Sequence, residues 1–274
     1  MKRIYITILS VLLTGSAHLN IISQNIDKQE FKIPLSNPGK PGKLKVGLHR
    51  GSIKIDGYNG NEVVVTVIHN IDEDKEEDEK NRKSRDGLRR IPNTAAEFNI
   101  TERDNFVRIQ DVDNKESNFE IKVPNRFSLS LSAHHDGYVE VNDVIGEIEV
   151  QAHHDDIVLN RIGGSVTANT HHGEIKVTFQ SVSSDTPMAF STYHGDIDIT
   201  FPANVNAFAK IKTTKGEIYT DFDMDMKPQS ALVESGTSQG TKIQVGGWLT
   251  GNLGAGGAEY LFNTYRGDVI IRKK

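Results

Sequence analysis

Apolar and polar residues alternate over most of the chain, in short runs that each follow a glycine. The pattern Gly-x-(Ile/Val)-x-(Val/Ile), in strict or looser form, begins at Gly51, Gly137, Gly146, Gly164, Gly173, Gly195, Gly216 and Gly267. Alternation with a period of two is typical of a β-strand that turns one face to a core and the other to solvent. A glycine before each run indicates a tight turn. The pattern therefore predicts an all-β chain.

The glycine slots are evenly spaced in the middle of the chain, one every nine residues from Gly137 to Gly173, with Asp155 in one of them. Two kinds of turn alternate, and only one kind contains a His-His pair. The true repeat therefore covers two slots, as from Gly146 to Gly164, and contains two strands and two turns. Such a unit is typical of one coil of a flattened solenoid, whose coils stack on their neighbours. The copies that begin at Gly173 and Gly195 are longer, which indicates small insertions.

These repeats predict a single-domain β-solenoid or β-roll with coils of roughly 18–22 residues. An N-terminal strand region and a C-terminal capping strand over residues 260–271 would complete it. One two-stranded layer cannot bury its apolar face alone, so the core should consist of stacked aliphatic columns, with roughly 1.5–3 kcal/mol from each buried side chain. The predicted inward residues are Val139, Val141, Ile148, Val150, Ile157, Leu159, Ile175, Val177, Ile197 and Ile199.

The N-terminus has the order of a secretory signal peptide. Met1-Lys2-Arg3 precede an apolar run and then small residues up to Ala17. We assign residues 1–23 to the signal peptide, with cleavage after Ala17 or after Ser23. The mature chain is predicted to be exported, to the periplasm, the outer-membrane surface or the extracellular space.

The rest of the chain divides into two parts. Residues 24–42 are predicted to form a linker, and residues 43–274 the solenoid domain. Residues 71–92 are largely charged and cannot bury enough apolar surface to order themselves, so a flexible loop is expected there.

Composition removes several classes of function. Cysteine is absent, which leaves no disulfide, thiolate metal site or lipidated N-terminal cysteine. The net charge of −5 is mild, so nucleic acid is not an expected partner. Beyond the signal peptide, no uncharged apolar segment approaches the length of about 20 residues that a spanning helix needs, so no membrane span is expected in the mature chain.

Several segments together resemble the bacterial putative adhesin family, a domain family of unknown function. They are Phe119–Pro124, which leads into the repeated Gly-x-Ile units, then Gly254-x-x-Gly257 and Asn263–Ile271. The resemblance implies a β-solenoid-like domain at the cell envelope or surface, and it brings no catalytic residues with it. This chain has His-His where the family more often has small polar residues. That departure marks the turns as a candidate specialisation.

The histidines recur at equivalent turns. Alignment on the glycine slot predicts one column of His135, His153 and His171 with Tyr193 and Tyr265 in register. A second column would contain His154, His172 and His194, followed by an acidic ladder that includes Asp156, Glu174 and Asp196. We predict a binding surface made of His135, His153, His171, Tyr193, Asp156 and Asp196.

A divalent-metal site is an alternative use of the same turns. Neighbouring coils lie about 4.8 Å apart, so imidazoles of successive coils could share Zn, Ni or Cu. The candidate ligands are His154, His172, His194 and Glu174. The competing interpretation is that duplicated repeats copy whatever residue one turn carries, and that the rings pack at a solvent-exposed corner. No other cofactor is expected.

A carbohydrate-active β-helix enzyme is the second alternative. It would need convergent carboxylates with opposed environments, whereas the acidic residues here are spread along the turns. Nucleophile elbows, phosphate loops and zinc-protease motifs do not occur in the sequence. The sequence therefore predicts a non-catalytic, exported cell-envelope module for adhesion, binding or scaffolding. Its partner would be a surface protein or a glycan.

Overall fold

The computed structural model describes residues 26–70, 97–112, 116–135, 137–228, 232–237, 240–244 and 247–274. Every regular element within these ranges is a β-strand, which confirms the all-β prediction. Within the same ranges no helix is long and apolar enough to cross a membrane. The predicted signal peptide, residues 1–23, and the predicted loop, residues 71–92, lie outside the described residues.

The strands are numbered in chain order. Those before residue 136 are β1 Ile26–Pro34, β2 Gly42–Arg50, β3 Ile53–Tyr58, β4 Glu62–Asn70, β5 Phe98–Arg103, β6 Phe106–Asp111, β7 Asn118–Pro124 and β8 Phe127–His135. The middle of the chain contains β9 Val139–Asn142, β10 Ile145–Ala152, β11 Ile157–Asn169, β12 Ile175–Val182, β13 Met188–His194, β14 Ile197–Phe201, β15 Ala207–Lys215 and β16 Ile218–Thr220. The last strands are β17 Lys227–Pro228, β18 Leu232–Thr237, β19 Gly240–Gln244, β20 Leu249–Leu253, β21 Glu259–Arg266 and β22 Val269–Lys273.

Most strands stack in two ladders. The first ladder runs in the spatial order β5, β6, β2, β8, β10, β11, β13, β21, β15, β20, β17. The second ladder runs β1, β4, β7, β3, β9, β11, β12, β14, β22, β16. The central pairings are parallel, and the antiparallel ones lie toward the ends. Strand β11 is long enough to belong to both ladders, its first half to the second and its last half to the first.

The register follows the two-slot repeat through the middle of the chain. Ile157 pairs with Val139 and Ile175 pairs with Ile157 in the second ladder, and Val166 pairs with Ile148 in the first. Each side chain therefore lies over its equivalent one repeat away. All ten predicted inward residues are buried with essentially no exposed surface. The alternation read from the sequence thus identifies the core correctly.

The predicted C-terminal cap is wrong, because the last two strands lie inside the ladders. Strand β21 pairs with β13 on one side and β15 on the other, and β22 lies between β14 and β16. Phe262 and Tyr260 give these strands core side chains that pack on Phe190 and Phe201. A layer that presents apolar side chains to both neighbours is better buried than exposed as an end. The antiparallel strands β20 and β17 follow β15 at that end of the first ladder.

The same kind of insertion occurs near the N-terminus. Strand β2 lies between β6 and β8, and β3 lies between β7 and β9. Strand β1 falls within residues 24–42, which the sequence predicts as a linker. It pairs with β4 from Ile26 opposite Asn70 to Pro34 opposite Glu62, so this segment is part of the sheet.

The glycines at the turns after the His-His pairs, and at the equivalent turns, allow the backbones of neighbouring layers to approach closely. Gly267 has φ +142°, and a Cβ there would lie 2.0 Å from the carbonyl oxygen of Gly195. Threonine side chains join the same turns by hydrogen bonds. The Thr264 hydroxyl donates to the carbonyl oxygen of Gly195 at 3.1 Å. Thr192 makes the equivalent bond to Gly173. The glycine and threonine columns together set how each turn rests on the next.

We expect Gly267→Ala to lower the free energy of unfolding by about 2–4 kcal/mol, since it combines a backbone clash with an unfavourable φ. Urea denaturation followed by circular dichroism measures the change. Gly47→Ala is the matched control, because nothing lies within 4 Å of a Cβ built at Gly47. Its effect should stay within about 0.5 kcal/mol. Equal losses for the two variants would contradict the close-approach argument.

Tyr260 places a polar hydroxyl group in the apolar core. Its ring is fully buried, and its hydroxyl has no hydrogen-bond partner among the described residues. Burial also raises the pKa of this phenol. The hydroxyl therefore costs free energy on folding.

We expect Tyr260→Phe to leave stability unchanged or to raise it by up to about 2 kcal/mol. Tyr58→Phe is the control, because the Tyr58 hydroxyl donates to the carbonyl oxygen of Glu62 at 2.8 Å. That variant should lose about 1 kcal/mol. A larger loss for Tyr260→Phe than for Tyr58→Phe, measured by the same urea titration, would show that the buried hydroxyl is stabilising.

Candidate functional site

Eight of the ten histidines in the sequence gather where strands of the first ladder end and the chain turns toward the second ladder. They are His49, His134, His135, His153, His154, His171, His172 and His194. Parallel stacking brings them together, since equivalent residues of successive layers lie one over another. We call this surface, together with Tyr193 and Tyr265, the His/Tyr edge.

The first column of the edge consists of His153, His171, Tyr193 and Tyr265. The ring centroids of His153 and His171 are 5.2 Å apart, those of His171 and Tyr193 5.1 Å, and those of Tyr193 and Tyr265 4.8 Å. Interplanar angles of 7°, 12° and 5° make the rings nearly parallel. The column is therefore a face-to-face stack, in which His153, His171 and Tyr193 are exposed and Tyr265 is half-buried.

The second column contains His135, His154, His172 and His194. His154 stacks on His172 at 5.3 Å with an angle of 7°, and His172 meets His194 at 4.9 Å with a tilt of 45°. Arg266 pairs with His194 in the next layer. Arg266 therefore occupies the next position of this column.

The placement of His135 corrects the sequence alignment. We predicted that His135 lies over His153, but it stacks on His154 at 5.4 Å and 21° and meets His153 only edge-on at 6.2 Å. The reason is the register between β8 and β10, in which Ala133 pairs with Ala152, one position beyond the partner that the repeat predicts. The other ladder keeps the regular offset at this layer, with Val139 opposite Ile157. The segment from Ala133 to Val139 is thus one residue longer than the equivalent segment from Ala152 to Ile157.

Sequence reasoning missed His49. Its ring lies 5.5 Å from that of His135 and 6.1 Å from that of His134, because β2 is inserted beside β8. The signal was available in the sequence. Gly51 begins a copy of the repeat, and His49-Arg50 precede it as His-His pairs precede other slots.

The two columns also contact each other across each layer. Ring centroids are 4.4 Å apart for His153 and His154 and 4.2 Å apart for His171 and His172. The Nδ1 atoms of His171 and His172 lie 2.7 Å apart, so one ring donates its N–H and the other accepts. Both rings cannot be protonated at these atoms without repulsion. The contact therefore favours at least one neutral imidazole.

Reduced hydration and neighbouring positive charge act in the same direction on the pKa of two members. Partial desolvation and then the charges of His154, His171, His135 and His134 lower the pKa of His153. Partial desolvation and then the charges of His171, His194, His154 and His153 lower the pKa of His172. The folded protein consequently holds these two imidazoles neutral to a lower pH than the unfolded chain does.

The acidic residues after the glycine slots serve the stacking itself. The backbone N–H of Glu174 donates to Asp156 Oδ1 at 2.8 Å, and the N–H of Asp268 donates to Asp196 Oδ1 at 2.7 Å. Asp268 in turn accepts from the N–H of Glu217 at 2.8 Å. Of the six residues predicted to form the binding surface, Asp156 and Asp196 thus join neighbouring layers on the turn side of the edge.

The predicted metal ligands are not gathered into a metal centre. Within the part of the chain that the structure describes, no group of three or more His, Cys, Asp or Glu is arranged to hold a metal ion. Binding of Zn, Ni or Cu by His154, His172, His194 and Glu174 stays a prediction.

A groove of about 360 Å³ runs beside the first column. It lies on the side of the column that faces the strands of the first ladder, which we call the strand side; the opposite side, toward the glycine slots, is the turn side. One wall is a row of outward side chains from four neighbouring strands, aligned by the register: Asn169, Ser191, Asn263 and Lys212. The other wall contains His171, Tyr193 and Tyr265. Among the described residues that line the groove, none is acidic.

Cations and the single tryptophan of the sequence lie at the β15 end of this groove. The ammonium groups of Lys210 and Lys212 lie 5.1 and 5.6 Å from the ring centroid of Trp248. Lys215 lies 5.6 Å from the centroid of the Tyr265 ring. The sequence gives no local sign of this cluster. Trp248 reaches the two lysines because β20 pairs with β15, and Tyr265 reaches Lys215 because β21 is inserted beside β15.

Comparison with solved structures finds two similar bacterial proteins. One is a putative cell adhesion protein from Clostridium sporogenes, with 12% sequence identity, a TM-score of 0.46, and coverage of 91% of this chain and 100% of that one. The other is a putative adhesin from Bacteroides fragilis, with 11% identity, a TM-score of 0.36, and coverage of 92% and 98%. The chain is similar to bacterial putative adhesins over more than nine tenths of its length. No family model and no curated protein matches it.

We expect the stability of the protein to fall as the pH is lowered through about 6.5, the ordinary histidine value. The folded-state pKa values of His153 and His172 are lowered, so the unfolded chain binds more protons in this range and acid favours unfolding. Urea midpoints at about pH 7.5 and about pH 5.5 measure the difference.

The double substitution His153→Ser/His172→Ser should shrink this pH difference. Tyr193→Ser is the matched control, since it interrupts the first column without removing a group that titrates in this range. Equal midpoints at the two pH values, or a difference that survives the double substitution, would contradict the prediction.

Proposed function

We propose that this chain is an exported, non-catalytic binding module of the bacterial cell envelope, that its layers form a β-solenoid or β-roll, and that the His/Tyr edge is its contact surface. The observation that carries the proposal is the regular exposed stack of rings, spaced 4.8 to 5.4 Å apart along both columns. Residues 43–274 would form the domain, to which strand β1 adds. The basic, apolar and small-residue order of residues 1–17 supports export.

The orientation of the rings suits an extended partner. Face-to-face packing uses the ring faces within the stack, so the edges remain for contact, with imidazole nitrogens and tyrosine hydroxyls. Tyr193 keeps 43% of its surface exposed. A straight row of polar ring edges repeated once per layer matches a partner that is itself long and repetitive. Side chains already fixed by stacking also lose little further freedom on binding.

The state of the carboxylates supports a non-catalytic role. Asp156, Asp196 and Asp268 each accept a backbone N–H from a neighbouring layer. Acid and base catalysis needs paired groups whose environments separate their pKa values. These three carboxylates instead share one repeated environment, which favours a structural use over hydrolysis of a glycan.

Retention of the purified protein on isolated bacterial cell envelopes tests the proposal. The edge variant is His171→Ser/Tyr193→Ser, which places a small polar residue at two exposed positions of the first column. We expect its retention to weaken by about tenfold, as expected for loss of contacts worth about 1.4 kcal/mol. Co-sedimentation at several protein concentrations measures the affinity.

The matched control is Tyr219→Ser, which removes an exposed tyrosine from β16 in the second ladder, with 52% of its surface accessible. It should bind envelopes like the unchanged protein. An unchanged affinity of the edge variant for envelopes would show that the His/Tyr edge is not the contact surface. Failure of the unchanged protein to bind envelopes would overturn the binding function itself.

A further inference from the structure

We infer that the groove beside the first column binds an extended anionic polysaccharide, with Lys212 as its main cationic contact. This inference rests on the proposed binding function and names the chemical class of the partner. Three features of the groove carry it: the polarity of its walls, the direction of the aromatic edges and the distribution of charge around it.

The walls offer hydrogen-bonding groups suited to a sugar polymer. Asn169, Ser191 and Asn263 occupy equivalent outward positions on successive strands, and they recur at the spacing of the layers. Amide and hydroxyl groups both donate and accept, as sugar hydroxyls do. The buried threonines behind them already donate to backbone carbonyls, so the outward row is the one left for a ligand.

The aromatic wall favours negative charge. An aromatic ring is negative on its faces and positive at its edge. Tyr193 and Tyr265 stack face to face at 4.8 Å, and His171 extends the stack. These rings therefore turn their positive edges, and with them N–H and O–H groups, toward whatever occupies the groove.

Acidic residues lie outside the groove, as a ladder at the turns and as the exposed Glu147 and Glu149 on β10, the strand next to β11. On the turn side lie the carboxylates of Asp156, Asp196 and Asp268, which accept backbone N–H groups. On the strand side Lys212 lines the groove. Its ammonium group, with that of Lys210, lies over the ring of Trp248. An anionic polymer would therefore be held nearest Lys212, at the end of the groove away from both the acidic ladder and Glu149.

A polymer is favoured over a small anion because the cations on β15 and β21 are separated from one another and do not converge on one point. Lys212 and Lys215 lie on β15, and Arg266 lies beside Lys215 on β21. The ammonium of Lys215 rests 5.6 Å from the centroid of the Tyr265 ring, at the end of the aromatic stack. A chain that carries one negative group per repeating unit could meet several of these cations at once.

Fluorescence of the single tryptophan reports occupancy directly, because Trp248 contacts Lys212. The purified protein is titrated with sodium alginate, which carries carboxylates, with dextran sulfate, which carries sulfates, and with neutral dextran. Binding of one or both anionic polymers, weakened by added salt, with no response to neutral dextran, is the expected result. The two anionic polymers distinguish a carboxylate ligand from a sulfate ligand.

Lys212→Gln should weaken binding of the preferred anionic polymer by about tenfold, and Lys212→Arg should retain it. Lys176→Gln is the matched control, since Lys176 is an exposed lysine on β12 in the second ladder, and its affinity should be unchanged. Calorimetry repeats the key titrations without reliance on tryptophan, and thermal unfolding checks that each variant is folded. Equal losses in Lys212→Gln and Lys176→Gln would overturn the groove as the site.

Three further outcomes would also overturn the inference. Neutral dextran could bind as well as the charged polymers, single-stranded DNA could bind as well as the anionic polysaccharides, or no polysaccharide could bind at all. The proposed function is judged separately, by retention on cell envelopes. If retention depends on the His/Tyr edge but survives the removal of polysaccharide and is lost on protease treatment of the envelopes, the partner is a protein and only this inference fails.

Discussion

The structure depends on parallel hydrogen bonding between equivalent residues of stacked layers. In the central pairings the strands run in the same direction, so many side chains rest on a counterpart of the same kind. Ile157 lies between Val139 and Ile175 in the core, the threonines form a hydrogen-bonded column, and the glycines permit contact between backbones. The His/Tyr edge is the same rule applied to an exposed position. Parallel stacking thus produces the core, the turns and the candidate site.

Parallel stacking also places like charges one over another. The repulsion between them is reduced in different ways at different positions. Carboxylates of the acidic ladder accept backbone N–H groups from the next layer. On the outer face of the second ladder, charges of opposite sign meet across layers, as where Arg272 donates to Asp198 at 2.7 Å. The histidines are tolerated because neutral imidazoles stack like other aromatic rings. Acid removes that tolerance, so the edge is the part of the fold most sensitive to protonation.

Local properties could be predicted from the sequence, whereas the order of the layers could not. Alternation identified the strands and the buried aliphatic residues, and the spacing of the glycines predicted the regular offset between layers. The longer offset between β8 and β10 could not be predicted from the sequence, because one additional residue between two strands leaves the alternation of apolar and polar residues in each strand unchanged. His49 and the pairing of Lys212 with Asn263 depend on strands inserted from distant parts of the chain. Periodicity within a repeat carries no information on which repeats become neighbours.

The inserted C-terminal layer has a consequence for the assembly of the molecule. Strands β21 and β22 are synthesised after β15 and β16, yet they lie between β13/β14 and β15/β16. During vectorial synthesis, the strands on both sides of this position emerge before the strands that fill it. Strands β15 and β16 can therefore reach their final positions only after β21 and β22 have been synthesised. A chain that stopped before β21 would therefore lack the layer formed by β21 and β22, and with it Tyr265 and Asn263 of the groove.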